Sequence, residues 1–155
     1  MSKGRSEARS AGAITLRAAT AGDAALLLEW RNDPLTRANS FNTAEVSEEE
    51  HMGWFTASLE NPRRKIFIAV REGAPAGMAR SDRDGDATEL SWAVAPRERG
   101  RGVGKAIVAA AVGLIEGAIT ARIKAGNAAS AHIAKSAGFV LEREEGGITY
   151  WRYTP

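Results

Sequence analysis

The sequence predicts an α+β fold built on one twisted, mixed and mostly antiparallel sheet of about seven strands with four helices, and three observations carry that prediction. Short strand-like runs are separated by Glu72-Gly73, Asp84-Gly85 and Gly146-Gly147, pairs that favour tight antiparallel hairpins. Between Ala87 and Lys124 the order is strand, glycine-rich turn, helix, strand, which demands a parallel crossover. Helical apolar spacing recurs in separated segments, so helices cover a sheet rather than one another.

The elements follow in order. The stretch "AITLRAAT" alternates as a short strand. Thr20 and Asp23 form an approximate capping box ahead of "AALLLEWRND", where Leu26, Leu27 and Trp30 share a helical face. Asn32, Asp33 and Pro34 read as the stop of that helix, and a polar segment runs to Ser47. Ser47 and Glu50 open a second helix expected to bury Met52, Phe55 and Leu59 before Asn61-Pro62 ends it. The runs "RKIFIAVRE", "APAGMARSDR" and "ATELSWAVAP" make an antiparallel meander. From Gly102 the period becomes helical, with Val103, Ile107, Ala110 or Ala111, and Leu114 on one stripe, and "AITARIKA" returns to strand. A last helix, Ala128 to Ala137, stops at Gly138, and "FVLEREE" with "ITYWRYTP" closes the chain as a hairpin.

Composition sets the functional limits. The 155 residues are 44% hydrophobic and 26% charged, which suits one globular domain over 13–155 behind a polar tail, 1–12, expected to be disordered. With 21 basic and 19 acidic residues the net charge is only +2, too small for nucleic acid to be held by bulk electrostatics. There is no cysteine, so thiolate chemistry and disulfides are excluded, and His51 with His132 makes a poor metal set; no metal is expected. No signal-peptide core and no membrane-length apolar run is present, so the expected location is the cytoplasm, with no membrane partner.

The chemistry concentrates in "RERGRGVGK", Arg97 to Lys105, between a strand and a helix. A helix N-terminus presents unpartnered N–H groups and partial positive charge, and glycines let a phosphate approach the backbone. The spacing fails the Walker loop, since only three residues separate Gly100 from Gly104 and Ala106 follows Lys105. It fails the dinucleotide fingerprint too, because Lys105 stands where the third glycine belongs. The turn also lacks the aromatic residues of a single-strand nucleic-acid site. The pattern that fits is RxxGxG, through Arg99, Gly102 and Gly104.

With that pattern the chain resembles the GNAT superfamily of acyl-CoA-dependent N-acetyltransferases, whose signature (Q/R)xxGx(G/A) lies between the fourth strand and the third helix. "LSWAVAPRERGRGVGKAIV" and "NAASAHIAKSAGF" match the family's order of strand, Val-x-Pro step, basic glycine turn, helix, and a later helix opened by Asn and closed by Gly-Phe. The likeness spans roughly Ile14 to Tyr153. It implies acetyl-CoA as co-substrate, with its pyrophosphate on Arg99, Gly100, Arg101, Gly102, Val103, Gly104 and Lys105. It implies a pantetheine arm between parallel strands four and five, which splay apart, paired along Ala93 and Val94 and reaching Asn127, Ser130 and Lys135 on the last helix. Asn127 serves equally as a plain helix N-cap.

By the same resemblance an amine attacks the thioester directly. The amine must be neutral, and the strand-four acid Glu89, on one face with Ser91, is the candidate base; a solvated pairing of Glu89 with a neighbouring arginine is the competing reading. The N–H of Val94 is the candidate oxyanion donor. The family's usual tyrosine acid falls at Ala134, so Ser130, His132, Ser136 and Tyr150 remain as substitutes, or water.

For the acceptor, Trp30, Arg31, Asn32, His51 and Trp54 resemble the branch that acetylates an amino sugar on a sugar nucleotide. Read simply as structure, Trp30 is core, Trp54 a flank and Arg31 a helix-terminal charge. Peptide or ribosomal-protein N-terminal acetylation, a small amine, amino acid or antibiotic, and a non-catalytic acyl-CoA sensor stay open as alternatives. An exposed closing hairpin suits a homodimer.

Overall fold

The computed structural model describes residues 13–155; the expected tail over 1–12 lies outside the described residues. Strand β1 is Ile14–Ala18, followed by a 3-10 turn, Ala21–Asp23, and helix α1, Ala24–Arg31. The expected box is present: Asp23 accepts the Thr20 N–H at 2.8 Å, and Arg17 forks onto both Asp23 oxygens at 2.8 and 2.9 Å. That guanidinium, aided by the Thr20 N–H, lowers the Asp23 carboxyl to about 2 against the opposing effect of burial.

The expected polar segment contains a further helix, α2, Pro34–Ala38. Asn-Asp-Pro does end α1, but Asp33 also caps α2 by accepting the Thr36 N–H at 3.1 Å, and Pro34 sits where a missing N–H costs nothing. The described residues therefore hold five α-helices, not four.

Helix α3, Glu48–Glu60, starts with the reciprocal Ser47–Glu50 box. Its inward face is not the expected one: His51, Phe55 and Ser58 are buried, whereas Met52 and Leu59 are 43% and 42% exposed. Partners explain the rotation. His51 Nε2 donates to the Ala24 carbonyl at 2.9 Å and Ser58 Oγ accepts from Arg64 at 3.0 Å, so the polar residues are satisfied inside and the helix turns to seat Phe55.

The strands β2 (Arg64–Arg71), β3 (Ala74–Asp84) and β4 (Ala87–Val94) form the meander. Glu72 and Gly73 both adopt positive φ, as the first hairpin turn requires. After a short turn, Pro96–Glu98, helix α4 runs Val103–Val112, then β5 (Ala118–Lys124), α5 (Ala128–Ser136), β6 (Val140–Glu145) and β7 (Ile148–Tyr153). Leu114 falls beyond α4 and is exposed rather than on its buried stripe.

Among the described residues seven strands run β1-β2-β3-β4-β5-β7-β6, and only β4 and β5 are parallel. One face packs Val103, Ile107 and Ala111 of α4 on Ala79, Leu90 and Ile119; the other packs Leu27, Trp30 and Phe55 on Ile66 and Ile68. The β6 edge is exposed along its whole length. No helix of the described residues is long and apolar enough to cross a membrane.

The feature that positions a site is the short β4–β5 ladder. It holds only from Ala87↔Ala118 to Glu89↔Thr120, while β4 stays paired to β3 as far as Gly77↔Val94 and β5 stays paired to β7 as far as Lys124↔Ile148. Beyond Glu89 the two strands part within an otherwise continuous sheet. Gly77 permits this: a Cβ there would lie 2.5 Å from the Ala93 carbonyl oxygen and 2.7 Å from Ile107 Cδ1. Without a side chain, β3 and α4 can draw the end of β4 close.

Candidate active site

The gap between β4 and β5 opens at one end on the glycine turn. Gly100 and Gly102 take positive φ values of 79° and 77°, and Gly102 caps α4 without any side-chain acceptor, so the first N–H groups of the helix keep their donor capacity. Arg101 and Lys105 are exposed around them. Gly104 is buried at this junction, where a Cβ would lie 2.5 Å from Ile133 Cδ1 and 3.3 Å from Val94 Cγ2. The sequence-predicted cofactor residues thus converge where β4, α4 and α5 meet, and their geometry suits a diphosphate.

Arg99 is placed differently from its exposed neighbours. Its Nη2 reaches Asp33 Oδ2 at 2.5 Å and Thr36 Oγ1 at 3.1 Å, tying the glycine turn to the start of α2. The same contact holds the Asp33 carboxyl below its usual range. Asn127 caps α5 by accepting the Ser130 N–H at 3.2 Å, and both residues also face the adjoining cavity. Lys135 is exposed on α5.

On the α1–α3 side of the gap lies a cavity of about 650 Å³. Trp30, Arg31, His51 and Trp54 line it, as do Ser91 and Ala93 of β4. Trp30 is at the same time core, only 3% exposed. His51 is tied to Ala24 and stacked on Phe55 at 5.8 Å, and the Arg64 and Arg80 guanidinium groups lie over the Trp54 ring, 5.6 and 5.8 Å from its centroid. Asn32 stands apart from the cavity: its amide donates to the Val46 carbonyl and accepts the Val46 N–H, both at 2.8 Å, which secures the segment 39–46 as one wall.

Two donors in this lining have no acceptor among the described residues, Arg31 Nη1 and Trp92 Nε1, both buried. Arg31 gives its other terminal nitrogen to the Asn42 carbonyl at 2.7 Å and has no acidic partner among the described residues. Burial first, and Arg37 second, lower its affinity for its proton, so an anion beside it would be favoured.

Glu89 stands at the point where the strands part. Its carboxylate accepts Nε and Nη2 of Arg122 on β5, at 2.5 and 3.4 Å. Among the candidate acids only Ser130 lines the cavity; His132 and Ser136 are exposed on α5, and Tyr150 lies under Arg143 at 3.9 Å. Ala134 is wholly buried, so the position of the family's usual tyrosine belongs to the core. Ala95 donates its N–H to Ala76 of β3 at 2.8 Å, and backbone alternation then turns the Val94 N–H to the gap.

Sequence reasoning overlooked Arg122, Phe41 and Trp92. A lone glycine inside the strand-like "APAGMARSDR" was a legible sign of close backbone approach; the three side chains carried no local signal. Among the described residues no cluster of three or more His, Asp or Glu could hold a metal ion.

Residues 13–140 match the family model described as the acetyltransferase (GNAT) domain. Among solved structures, the aminoglycoside acetyltransferase AAC(6')-Ib in complex with coenzyme A and kanamycin superposes with a TM-score of 0.81 at 21% identity, covering 92% of this chain and 95% of that one. The spermidine N-acetyltransferase from Vibrio cholerae in complex with CoA and spermine gives 0.82 at 17%, covering 91% and 95%. A ribosomal α-N-protein acetyltransferase in complex with CoA gives 0.78 at 14%, covering 92% and 94%. No curated protein matches the chain.

Proposed function

This chain belongs to the GNAT acetyltransferase family and is an acetyl-CoA-dependent N-acetyltransferase; from that premise we propose that its acceptor is an amino sugar carried on a nucleoside diphosphate. The observation that carries the reading is Arg31, whose buried Nη1 lacks a partner in the cavity wall. Arg80 and Arg122 line the same cavity but are paired with Asp82 and Glu89, which leaves Arg31 as the lining arginine with no acidic partner among the described residues. An unpaired guanidinium nitrogen of this kind suits a phosphate oxygen of a sugar nucleotide. The half-exposed indole of Trp54 offers a face for a sugar ring or base, while Asn32 shapes the wall through Val46. Two of the three structural relatives named above, by contrast, hold kanamycin and spermine, both polyamines.

In this reading the donor diphosphate rests on the α4 N-terminus and the Gly100–Gly102 turn, with Arg101 and Lys105 adding charge. The pantetheine arm enters the β4–β5 gap beside Ala93 and Val94. The amine nitrogen attacks the thioester carbonyl, its proton passes through water to Glu89, and the Val94 N–H stabilises the oxyanion. The C–S bond breaks to release the thiolate, a good leaving group at an ordinary thiol pKa near ~8.5. Ser130, beside Asn127 on the cavity wall, is the candidate to assist that departure.

The test is a thiol-release screen with acetyl-CoA across nucleoside-diphosphate amino sugars, N-terminal peptides, spermidine and an aminoglycoside, with product mass. Acetylation of the sugar nucleotide supports the reading. Preference for a polyamine or peptide overturns the acceptor, and tight CoA binding without turnover of any amine points to a sensor.

A further inference from the structure

The structure assigns to Arg122 a positioning role: it holds the Glu89 carboxylate in its working pose across the opened strands, and Phe41 holds Arg122 there. The inference rests on Glu89 acting as base. Glu89 is the last β4 residue paired to β5, and Arg122 lies two residues beyond its partner Thr120, where no ladder bond joins the strands any longer. Their side chains bridge the gap in place of backbone, with Nε and Nη2 reaching the two carboxylate oxygens separately. A forked contact of that kind fixes the carboxylate plane as a single bond cannot.

Arg122 is itself fixed from above. Its guanidinium lies 4.9 Å from the ring centroid of Phe41, in the 39–46 wall of the cavity. That wall is secured to the same strand by Lys124, whose Nζ donates to the Ala38 carbonyl at 3.0 Å. The other charged groups facing this spot are already paired. Asp82, opposite Glu89 on β3, is held by Arg64 at 2.6 Å and Arg80 at 2.9 Å. Tyr150, opposite Arg122 on β7, is covered by Arg143, and Arg152 pairs with Glu142 at 3.0 Å. Arg122 is therefore the cation that determines where the Glu89 carboxylate points.

A C–N bond forms as the C–S bond breaks, the electron pair leaves on sulfur, and the amine proton reaches Glu89 through water. Arg122 exchanges no proton; it keeps the accepting oxygen directed at that water.

The test separates kcat from KM in wild type, Arg122→Lys, Arg122→Gln, Phe41→Ala, Glu89→Gln and the Glu89→Gln/Arg122→Gln pair. The probes are a nucleoside-diphosphate amino sugar and spermidine, with amine-free hydrolysis of acetyl-CoA as the arm that needs no acceptor. Arg122→Gln is expected to lower kcat about 10- to 100-fold, the range of a misaligned general base, with acceptor KM changed less than about threefold. Arg122→Lys is expected to recover part of that loss, Phe41→Ala to show a smaller loss of the same kind, and the double variant to be no slower than Glu89→Gln alone. A rise in KM with kcat intact, or additive losses in the double variant, would overturn the positioning role. Full activity in Glu89→Gln would remove the base reading itself, and failure of the sugar nucleotide alone would remove only the acceptor.

Discussion

Arg99, the first residue of the RxxGxG pattern, lies against Asp33, the residue that caps α2, with Nη2 at 2.5 Å from Oδ2. The glycine turn that faces the donor is thereby joined to the element that leads into the acceptor wall. Arg99 cannot hold Asp33 and a diphosphate with the same nitrogen.

Asp33→Asn is therefore expected to have two measurable effects. Asn caps a helix as well as Asp, so what is lost is the ion pair with Arg99, about 0.2–1 kcal/mol in thermal or urea unfolding. Calorimetric titration should show CoA binding a few-fold tighter, because Arg99 is released. Unchanged CoA affinity would leave Arg99 as a purely structural tie.

The turn itself is best probed at its exposed cations. A Cβ at Gly104 would lie 2.5 Å from Ile133 Cδ1, so a substitution there displaces that side chain, alters the packing of α4 on α5 and confounds a binding measurement. Arg101→Glu is expected to weaken CoA about tenfold, or ~1.4 kcal/mol, with an unchanged melting temperature. Equal affinity in that variant would move the pyrophosphate elsewhere.

Gly77→Ala tests the opening of the sheet. The added methyl would meet the Ala93 carbonyl and Ile107 Cδ1 inside contact distance, so about 1–3 kcal/mol of stability should be lost. It would also push the end of β4 towards β5, and CoA affinity should fall with stability.

The Arg17–Asp23 fork gives the acid limb of stability. The folded Asp23 pKa, lowered from 3.8 to about 2, means that this contribution is present above the unfolded value and is lost as pH falls through the folded one. Between pH 4 and 2, wild type should lose up to about 2 kcal/mol that Asp23→Asn never had. Urea unfolding across that window checks it; parallel curves for the two proteins would contradict the assignment.

How much of this was legible in the sequence follows from range. The hairpin pairs, the capping boxes at Thr20 and Ser47 and the glycine turn depend on residues a few positions apart, and each formed as its chemistry required. Helix α2 was missed because Asn32-Asp33-Pro34 signals a stop and a start at once. The face of α3 was misread because Met52 and Leu59 outrank His51 and Ser58 in hydrophobicity, while distant Ala24 and Arg64 satisfy the polar pair inside. Glu89 and Arg122 are 33 residues apart, and Arg122 and Phe41 further still. Only the register of β4 on β5 and the path of the 39–46 wall bring them together.

The central claim, that Arg31 reads an anionic acceptor, is tested most directly by kcat/KM for a nucleoside-diphosphate amino sugar and for spermidine in wild type and Arg31→Ala. Wild type should prefer the sugar nucleotide, and Arg31→Ala should lose about 10- to 100-fold on it, mostly through KM, with spermidine unaffected. A wild-type preference for spermidine, or equal losses on both amines, would contradict the account.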